Sequence, residues 1–189
     1  MTDAELIARA VVGDERHAFA ELVRRHQSAV RACLRRLTAG DHGLADDLAQ
    51  ETFVLAWKHL ASFRQDAKFS TWLYRIATNC WLAHARRRRE TLLGDADGEL
   101  ADDDAGEGSE PTPGGAVADP SRGSALRIDM ERALGCLSEA ERAAIVQCYH
   151  NDLTHEEAAY VLDCPVGTVK THVHRAKQKL KVALAAWAR

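Results

Sequence analysis

Apolar residues recur at three- and four-residue spacing along most of this chain, and the strict alternation typical of β-strands is nearly absent. This spacing places apolar side chains on one face of an amphipathic helix. In the first half it predicts helices over about residues 2–13, 15–37, 44–60 and 70–89. In the second half, capping and apolar spacing predict two helices separated by a break at residues 163–165. The predicted fold class is all-α, with two small helical domains.

Capping residues mark where several helices should begin. Thr2 with Glu5, and Thr154 with Glu157, fit the S/T-x-x-E capping box, in which two side chains satisfy the free amides of a first turn. Ser70 has the residue type of an N-cap for the fourth helix. These signals fix helix starts more sharply than apolar spacing alone can.

The last two predicted helices form a helix-turn-helix. The first begins after Thr154 and ends near Asp163, a residue type that tolerates a left-handed turn, and Pro165 forbids an uninterrupted continuation. Apolar residues of the last helix should face a core, while the opposite face is polar and basic. The inward residues are Val169, Val173, Ala176, Leu180 and Leu184, and the outward ones are Thr171, His174, Arg175 and Gln178.

Residues 165–189 contain six Lys and Arg residues and no acid. Phosphate is the natural counter-charge, so this helix is predicted to lie in a DNA groove. A solvated amphipathic helix is the alternative, since most charge runs are solvated faces. The capped helix and turn that precede it favour DNA.

Charge is unevenly distributed, although the formal net charge is only −3. Residues 91–124 carry nine carboxylates against Arg122 alone, whereas residues 1–90 and 125–189 are both net basic. The middle segment is also rich in Pro, Gly and Ser and cannot bury enough apolar surface to fold alone. We therefore expect a domain over residues 1–90, a flexible acidic linker over 91–124 and a second domain over 125–189.

The five cysteines are odd in number and scattered, which is typical of reduced thiols in a cytoplasmic protein. No signal peptide or membrane-length apolar run is present in the sequence, so a soluble cytoplasmic protein without a membrane partner is expected. A metal site is a remote alternative, because no paired C-x-x-C motif accompanies Cys148 and its neighbouring histidines or the pair His172 and His174. No metal or cofactor is expected.

The fourth predicted helix mixes aromatic and basic residues. Trp72 and Trp81 share it with Arg75 and Asn79. Aromatic side chains beside cations can stack on single-stranded bases while the cations follow the backbone. The same aromatic residues could instead fill a protein core, and composition does not separate these two interpretations.

Two sequence blocks are characteristic of a known family. Residues 44–57 (LADDLAQETFVLAW) with residues 69–79 (FSTWLYRIATN) resemble the second conserved region of bacterial extracytoplasmic-function (ECF) sigma factors, of the sigma-70 family. Residues 165–170 (PVGTVK), with Arg175 and Ala176, resemble their fourth region. The resemblance implies a non-enzymatic protein that binds core RNA polymerase and gives it promoter specificity.

The resemblance also implies three binding surfaces. The first would dock on the clamp coiled coil of the largest polymerase subunit: Asp46, Asp47, Gln50, Glu51, Phe53 and Trp57. The second would read the minus-10 element during strand separation: Phe63, Lys68, Phe69, Ser70, Thr71, Trp72, Arg75, Asn79, Arg86 and Arg87. The third would read the minus-35 element: Thr168, Lys170, Thr171, His172, His174, Arg175 and Lys179.

Further partners implied by the resemblance are the flap of the second-largest polymerase subunit, promoter DNA and an anti-sigma factor. His172 departs from the family, which usually has a permanent cation there. The acidic linker is a second departure, and its carboxylates are hypothesised to imitate nucleic acid inside the polymerase. The alternative function is a stand-alone helix-turn-helix regulator, which would bind duplex DNA tightly without polymerase. An enzyme is a distant third class, because no phosphate loop, nucleophile set or metal motif is recognisable in the sequence.

Overall fold

The computed structural model describes residues 1–13, 15–94 and 122–187, and every regular element in those ranges is a helix. The predicted all-α class is confirmed. The expected linker overlaps the last turn of one helix and the first of the next, and its remaining residues lie outside the described ones. The helices are α1 (Asp3–Val12), α2 (Arg16–Leu37), α3 (His42–His59), a 3₁₀ turn (Leu60–Ser62), α4 (Phe69–Gly94), α5 (Arg122–Gly135), α6 (Glu139–Tyr149), α7 (His155–Leu162) and α8 (Val166–Trp187).

The described helices include none that is both long enough and apolar enough to cross a membrane.

Helix starts largely follow the predicted capping residues. Both predicted capping boxes are present, at Thr2 for α1 and at Thr154 for α7. The prediction that Ser70 caps α4 is wrong. The helix begins one residue earlier, because the Trp72 amide donates to the Lys68 carbonyl oxygen at 3.1 Å and so includes Ser70 in the first turn.

The turn between α7 and α8 adopts the left-handed conformation expected for it. Asp163 has φ 52° and ψ 46°, and its amide donates to the Ala159 carbonyl oxygen. Two amides at the start of α8, those of Thr168 and Val169, donate to the Pro165 carbonyl oxygen at 2.9 and 3.2 Å. The left-handed Asp163 therefore ends α7, and the Pro165 carbonyl group accepts the first hydrogen bonds of α8.

Each half of the chain folds as a small helical bundle. In the first, α1 to α4 bury Leu22, Leu34 and Leu73 completely. In the second, α6 to α8 bury Val161 and Val169 completely. Removing a side chain of this size from water contributes about 1.5–3 kcal/mol, so these residues are what hold each bundle together.

The two bundles pack against one another, with α4 on α7 and α2 on α6, and their apolar interiors form one continuous cluster. Arg142 of α6 joins them at one end. Its Nη1 donates to the Leu37 carbonyl oxygen at the end of α2 at 3.0 Å, and its Nη2 donates to the Leu137 carbonyl oxygen at 3.2 Å. A cation at a helix C-terminus is favoured by the free carbonyl groups there.

Candidate nucleic-acid interface

The outward face of α8 is the candidate duplex-reading surface. Val169, Val173 and Ala176 are buried, as the sequence phasing predicts, whereas Leu184 is 40 % exposed and does not reach the core. The opposite face is exposed at five of the seven predicted DNA-contacting residues, while Thr168 and His172 are half-buried. The five exposed ones are Lys170, Thr171, His174, Arg175 and Lys179.

Two residues of this surface have partners within the protein. The Lys179 ammonium lies 2.7 Å from the Glu141 carboxylate, which also completes a capping box with Ser138 at the start of α6. Hydrogen bonding from Lys179 lowers the pKa of Glu141 below its usual 4.5. The Thr171 hydroxyl donates to the Gly167 carbonyl oxygen at 2.9 Å. Lys179 therefore anchors α8 on α6 in this conformation. Lys170 and Arg175 are the exposed cations of α8 that lie nearest the turn between α7 and α8.

A cluster of aromatic rings supports the loop before α4. The ring centroids of Phe63, Phe69 and Trp72 lie 5.1–5.6 Å apart. The His26 ring of α2 meets the Phe69 ring edge-on at 5.3 Å, and its Nε2 lies 2.8 Å from a carboxylate oxygen of Asp3 in α1. Tilted and edge-on arrangements are the favourable ones for aromatic pairs. The loop is thus held from beneath by the first two helices.

Burial divides the predicted minus-10 residues into three groups. Phe69, Thr71 and Trp72 are buried, and the Thr71 hydroxyl has no hydrogen-bond partner in this conformation. Phe63, Ser70 and Arg75 are half-buried. The exposed members are Lys68, Asn79, Arg86 and Arg87. Aromatic stacking within the core accounts for the buried rings, and the exposed cations and amide lie on the outside of α4.

A cleft of about 770 Å³ opens beside this loop. One wall is formed by α1 and by the loop, including Phe63 and Lys68, and the other by Glu156, Glu157 and Tyr160 of α7. The cleft therefore lies between the two bundles. The carboxylates of Glu156 and Glu157 make the α7 wall of the cleft acidic.

The third predicted surface lies on α3. Asp47, Gln50 and Glu51 are exposed, whereas Phe53 and Trp57 are half-buried. Asp46 lies 3.5 Å from Arg31 and 3.9 Å from Arg35, so α2 already partly neutralises it. The face that remains free is acidic and suits a basic partner.

The structure adds one residue to this face. Val54 is 53 % exposed and lies seven residues after Asp47, which puts it on the same side of α3. An exposed valine beside these acids adds apolar contact area to a charged surface. Its seven-residue spacing from Asp47 was the available sequence signal.

A second groove, of about 550 Å³, lies between α5, α6 and α8. Leu134 and Ile145 form its floor, and Tyr149, Leu180 and Leu184 line its sides. Basic residues at its edge include Lys177, whose ammonium lies 4.5 Å from the centre of the Tyr149 ring. Among the described residues no group of three or more metal-ligating side chains is present.

Comparison with protein families gives two matches on this chain. The model of Sigma-70 region 2 matches residues 22–91, and that of Sigma-70, region 4 matches residues 127–180. The first match contains the α3 face and the aromatic loop, and the second contains the groove and α8.

Individual relatives span almost the whole chain. The ECF RNA polymerase sigma-E factor of Escherichia coli (strain K12) is 35 % identical over 190 residues, covering 95 % of this chain and 93 % of the relative. The ECF RNA polymerase sigma factor SigE of Mycolicibacterium smegmatis is 36 % identical over 169 residues, covering 87 % of this chain and 61 % of the relative.

Two solved structures share the fold at 29 % identity. The sigma factor RpoE in complex with the anti-sigma factor NepR from Bartonella quintana superposes with a TM-score of 0.67, covering 88 % of this chain and 96 % of that one. CnrH in complex with the cytosolic domain of CnrY superposes with a TM-score of 0.66, covering 97 % of both chains.

Proposed function

Because the chain belongs to the extracytoplasmic-function group of the sigma-70 family, we propose that its three candidate surfaces divide the work of promoter recognition. The protein is an RNA polymerase sigma factor, which binds core polymerase and directs promoter-specific initiation. Members of the family are not enzymes. The stand-alone regulator is set aside, since it assigns no role to region 2.

The outward face of α8 is assigned to the minus-35 element. Lys170, Thr171, His174 and Arg175 are exposed on one side of a helix that follows a helix-turn-helix turn, and this observation carries the proposal. Thr168, His172 and Lys179 extend the same surface. Arginine forms two hydrogen bonds with a guanine edge in the major groove, whereas lysine contacts phosphate as a point charge, so we assign Arg175 to a base and Lys170 to the backbone.

The loop before α4 and the exposed side of α4 are assigned to the minus-10 element. Asn79, Lys68 and Arg75 are the residues proposed to contact the separated strand, and Arg86 and Arg87 its phosphates. Phe63, Phe69, Ser70, Thr71 and Trp72 are proposed to line the pocket for an unstacked base. Extracting a base from the stack costs a few kcal/mol, which aromatic and amide contacts can offset. The support is that Phe63, Phe69 and Trp72 form one aromatic cluster. Lys68 and Thr71 line the cleft beside the same loop.

Two sites are proposed for core polymerase. Asp46, Asp47, Gln50, Glu51, Phe53 and Trp57 of α3, joined by Val54, are assigned to the clamp coiled coil of the largest subunit. The groove between α5, α6 and α8 is assigned to a helix from the flap of the second-largest subunit, because its apolar floor and basic edge suit an amphipathic helix with acidic flanks.

An anti-sigma factor is proposed as a further partner, since two similar proteins were solved with such factors or with a cytosolic domain bound. We propose that it covers the acidic α3 face and so competes with polymerase. The protein is proposed to act in the cytoplasm, where core polymerase is located. Residues 1–90, 91–124 and 125–189 are retained as the proposed domain division.

Run-off transcription tests the proposal directly. Purified protein and core polymerase are combined on a randomised promoter library, and the initiated transcripts are sequenced. We expect enrichment of two elements separated by a fixed spacer. The same library with core polymerase alone is the control, and absence of specific initiation would refute the proposed division of promoter contacts.

A further inference from the structure

A series of contacts connects the first helix with the loop before α4. The Asp3 carboxylate of α1 lies 2.8 Å from Nε2 of His26 in α2, and the His26 ring meets the Phe69 ring edge-on at 5.3 Å. Phe69 in turn packs on Phe63 and on Trp72, with 5.6 Å between the ring centroids in each pair. Asp3 and His26 therefore reach the loop through Phe69.

Arg25 holds the Asp3 carboxylate in place. Its Nη1 donates to Oδ1 of Asp3 at 3.2 Å and to the Met1 carbonyl oxygen at 3.0 Å. The other carboxylate oxygen, Oδ2, is the one that accepts from His26. The side chains of Asp3, Arg25 and His26 are 33, 34 and 17 % exposed, so solvent screens these contacts less than it would on an open surface.

The hydrogen bond to Asp3 selects the orientation of the His26 ring. A carboxylate only accepts, so Nε2 of His26 carries the proton in this contact. The last torsion of a histidine side chain is only weakly restricted by its own geometry, and the hydrogen bond supplies the missing restraint. Phe69, which the oriented ring meets, is the first residue of α4, and the Lys68 carbonyl oxygen just before it accepts the Trp72 amide at 3.1 Å. The position of Phe69 therefore determines where the loop ends and α4 begins.

Helix α1 lies outside the residues that match Sigma-70 region 2, whereas His26 and Phe69 lie inside them. Asp3 nevertheless lines the cleft beside the loop, together with Phe63 and Lys68. The proposed division of promoter contacts gives no role to Asp3 or His26. Their contacts place α1 next to the surface assigned to the minus-10 element.

We propose that Asp3 and His26 are positioning residues for minus-10 recognition. They contact no DNA, and they hold Phe69, and through it the loop that carries Lys68, in the conformation that binds the separated strand. The consequence for DNA rests on the proposed function, whereas the ordering of the loop can be measured without it. If the released loop adopts the competent conformation about a tenth to a fifth of the time, the apparent affinity for the strand falls about five- to tenfold.

Four variants separate the hydrogen bond from the charge and from the attachment of α1. Asp3→Ala removes the acceptor for His26, and His26→Gln keeps an amide donor but loses the ring that meets Phe69. Asp3→Asn keeps an acceptor oxygen and removes the charge. Arg9→Gln is the matched control, because Nε of Arg9 lies 2.9 Å from the Glu15 carboxylate and joins α1 to the start of α2, about three helical turns before His26. None of the four changes touches the capping box that starts α1.

Hydrogen–deuterium exchange of the free full-length protein measures the loop directly. The amides of Phe63 and Trp72 are hydrogen-bonded at its two ends. In peptides that span residues 63–72, Asp3→Ala and His26→Gln should exchange at least about fivefold faster than wild type, and Asp3→Asn and Arg9→Gln should stay within about twofold. Peptides from α3 should be unchanged in all four variants, because local opening leaves the rest of the bundle protected.

Reconstituted polymerase holoenzyme then measures recognition. One probe is the single strand that carries the minus-10 element defined by run-off transcription, and the other is a duplex that carries only the minus-35 element. Asp3→Ala and His26→Gln should bind the single strand about five- to tenfold more weakly and the duplex within about twofold of wild type. Asp3→Asn and Arg9→Gln should bind both probes as wild type does. A general loss of stability would not separate the two probes.

Three results would overturn the proposal: unchanged loop exchange in Asp3→Ala, equal loosening of the loop by Arg9→Gln, or equal affinity of the Asp3→Ala and wild-type holoenzymes for the minus-10 strand. A loss in Asp3→Asn as large as that in Asp3→Ala would also reject it, since the charge would then matter rather than the hydrogen bond. If wild-type holoenzyme initiates at no defined promoter while the exchange follows the expected pattern, the proposed function fails, and the support of the loop by Asp3 and His26 stands.

Discussion

Arg175→Ala should remove a single promoter contact without disturbing the fold. Arg175 is exposed on α8, and alanine is at least as good a helix former, so the free energy of unfolding should change by less than about 0.5 kcal/mol. Loss of a two-point contact with a guanine edge costs about 1–3 kcal/mol. Since each 1.4 kcal/mol is a factor of ten, promoter affinity should fall roughly 5- to 140-fold.

The assay is fluorescence anisotropy of reconstituted polymerase holoenzyme on duplexes that carry each single substitution in the minus-35 element. Wild-type holoenzyme should discriminate strongly at one base pair, and Arg175→Ala should bind all four bases there with similar affinity. Lys170→Ala is the matched control, because a lost phosphate contact weakens binding to every sequence and reduces the salt dependence by about one ion. If Arg175→Ala weakens all duplexes equally, its assignment to a base edge is wrong.

Other surfaces give separate predictions. Asn79→Ala should slow promoter opening, which is measured by the permanganate reactivity of unpaired thymines. The affinity for the minus-35 duplex should stay within twofold of wild type. Equal losses in both assays would contradict the proposed division of promoter contacts. Val54→Asp should weaken core-polymerase binding at least about tenfold in a pull-down, because it would bury an unpaired charge in the interface. Val182→Asp, on the exposed side of α8, is the control and should bind core polymerase as wild type does. The Lys179 contact lowers the pKa of Glu141 in the folded protein, so its stabilisation is fully present above the usual pKa of 4.5 and is lost as pH falls below it. Glu141→Gln should therefore flatten the acid limb of thermal stability below that pH, and an unchanged limb would refute this.

Local sequence signals specified most of the secondary structure because they act within one or two turns. The capping boxes at Thr2 and Thr154 and the left-handed turn at Asp163 depend only on neighbouring backbone groups. The wrong prediction of Ser70 as the N-cap of α4 has a local reason too, since the Lys68 carbonyl oxygen already accepts the first hydrogen bond of the helix. The prediction that Leu184 faces the core is wrong for a different reason. Its spacing fits the apolar stripe of α8, but the bundle ends before this residue, which is 40 % exposed.

The candidate surfaces were less completely predictable. Helical phasing was sufficient to turn Thr171 and Arg175 outward, because one core contact fixes the rotation of a helix. It could not decide whether the aromatic residues near α4 stack on one another or on bases. That choice depends on His26 and Asp3, which lie more than forty residues earlier and approach Phe69 only in the folded bundle.

The sequence by itself determined the helical class, the helix-turn-helix and the position of the acidic and basic segments, since periodicity, capping and charge can be read along a chain. The tertiary structure alone decided how the two bundles meet. Gln147, Thr78 and Cys33 are separated by as many as 114 residues, and no local pattern marks them as partners. Their hydrogen bonds exist because packing excludes water from the interface, and exclusion of water depends on the whole fold.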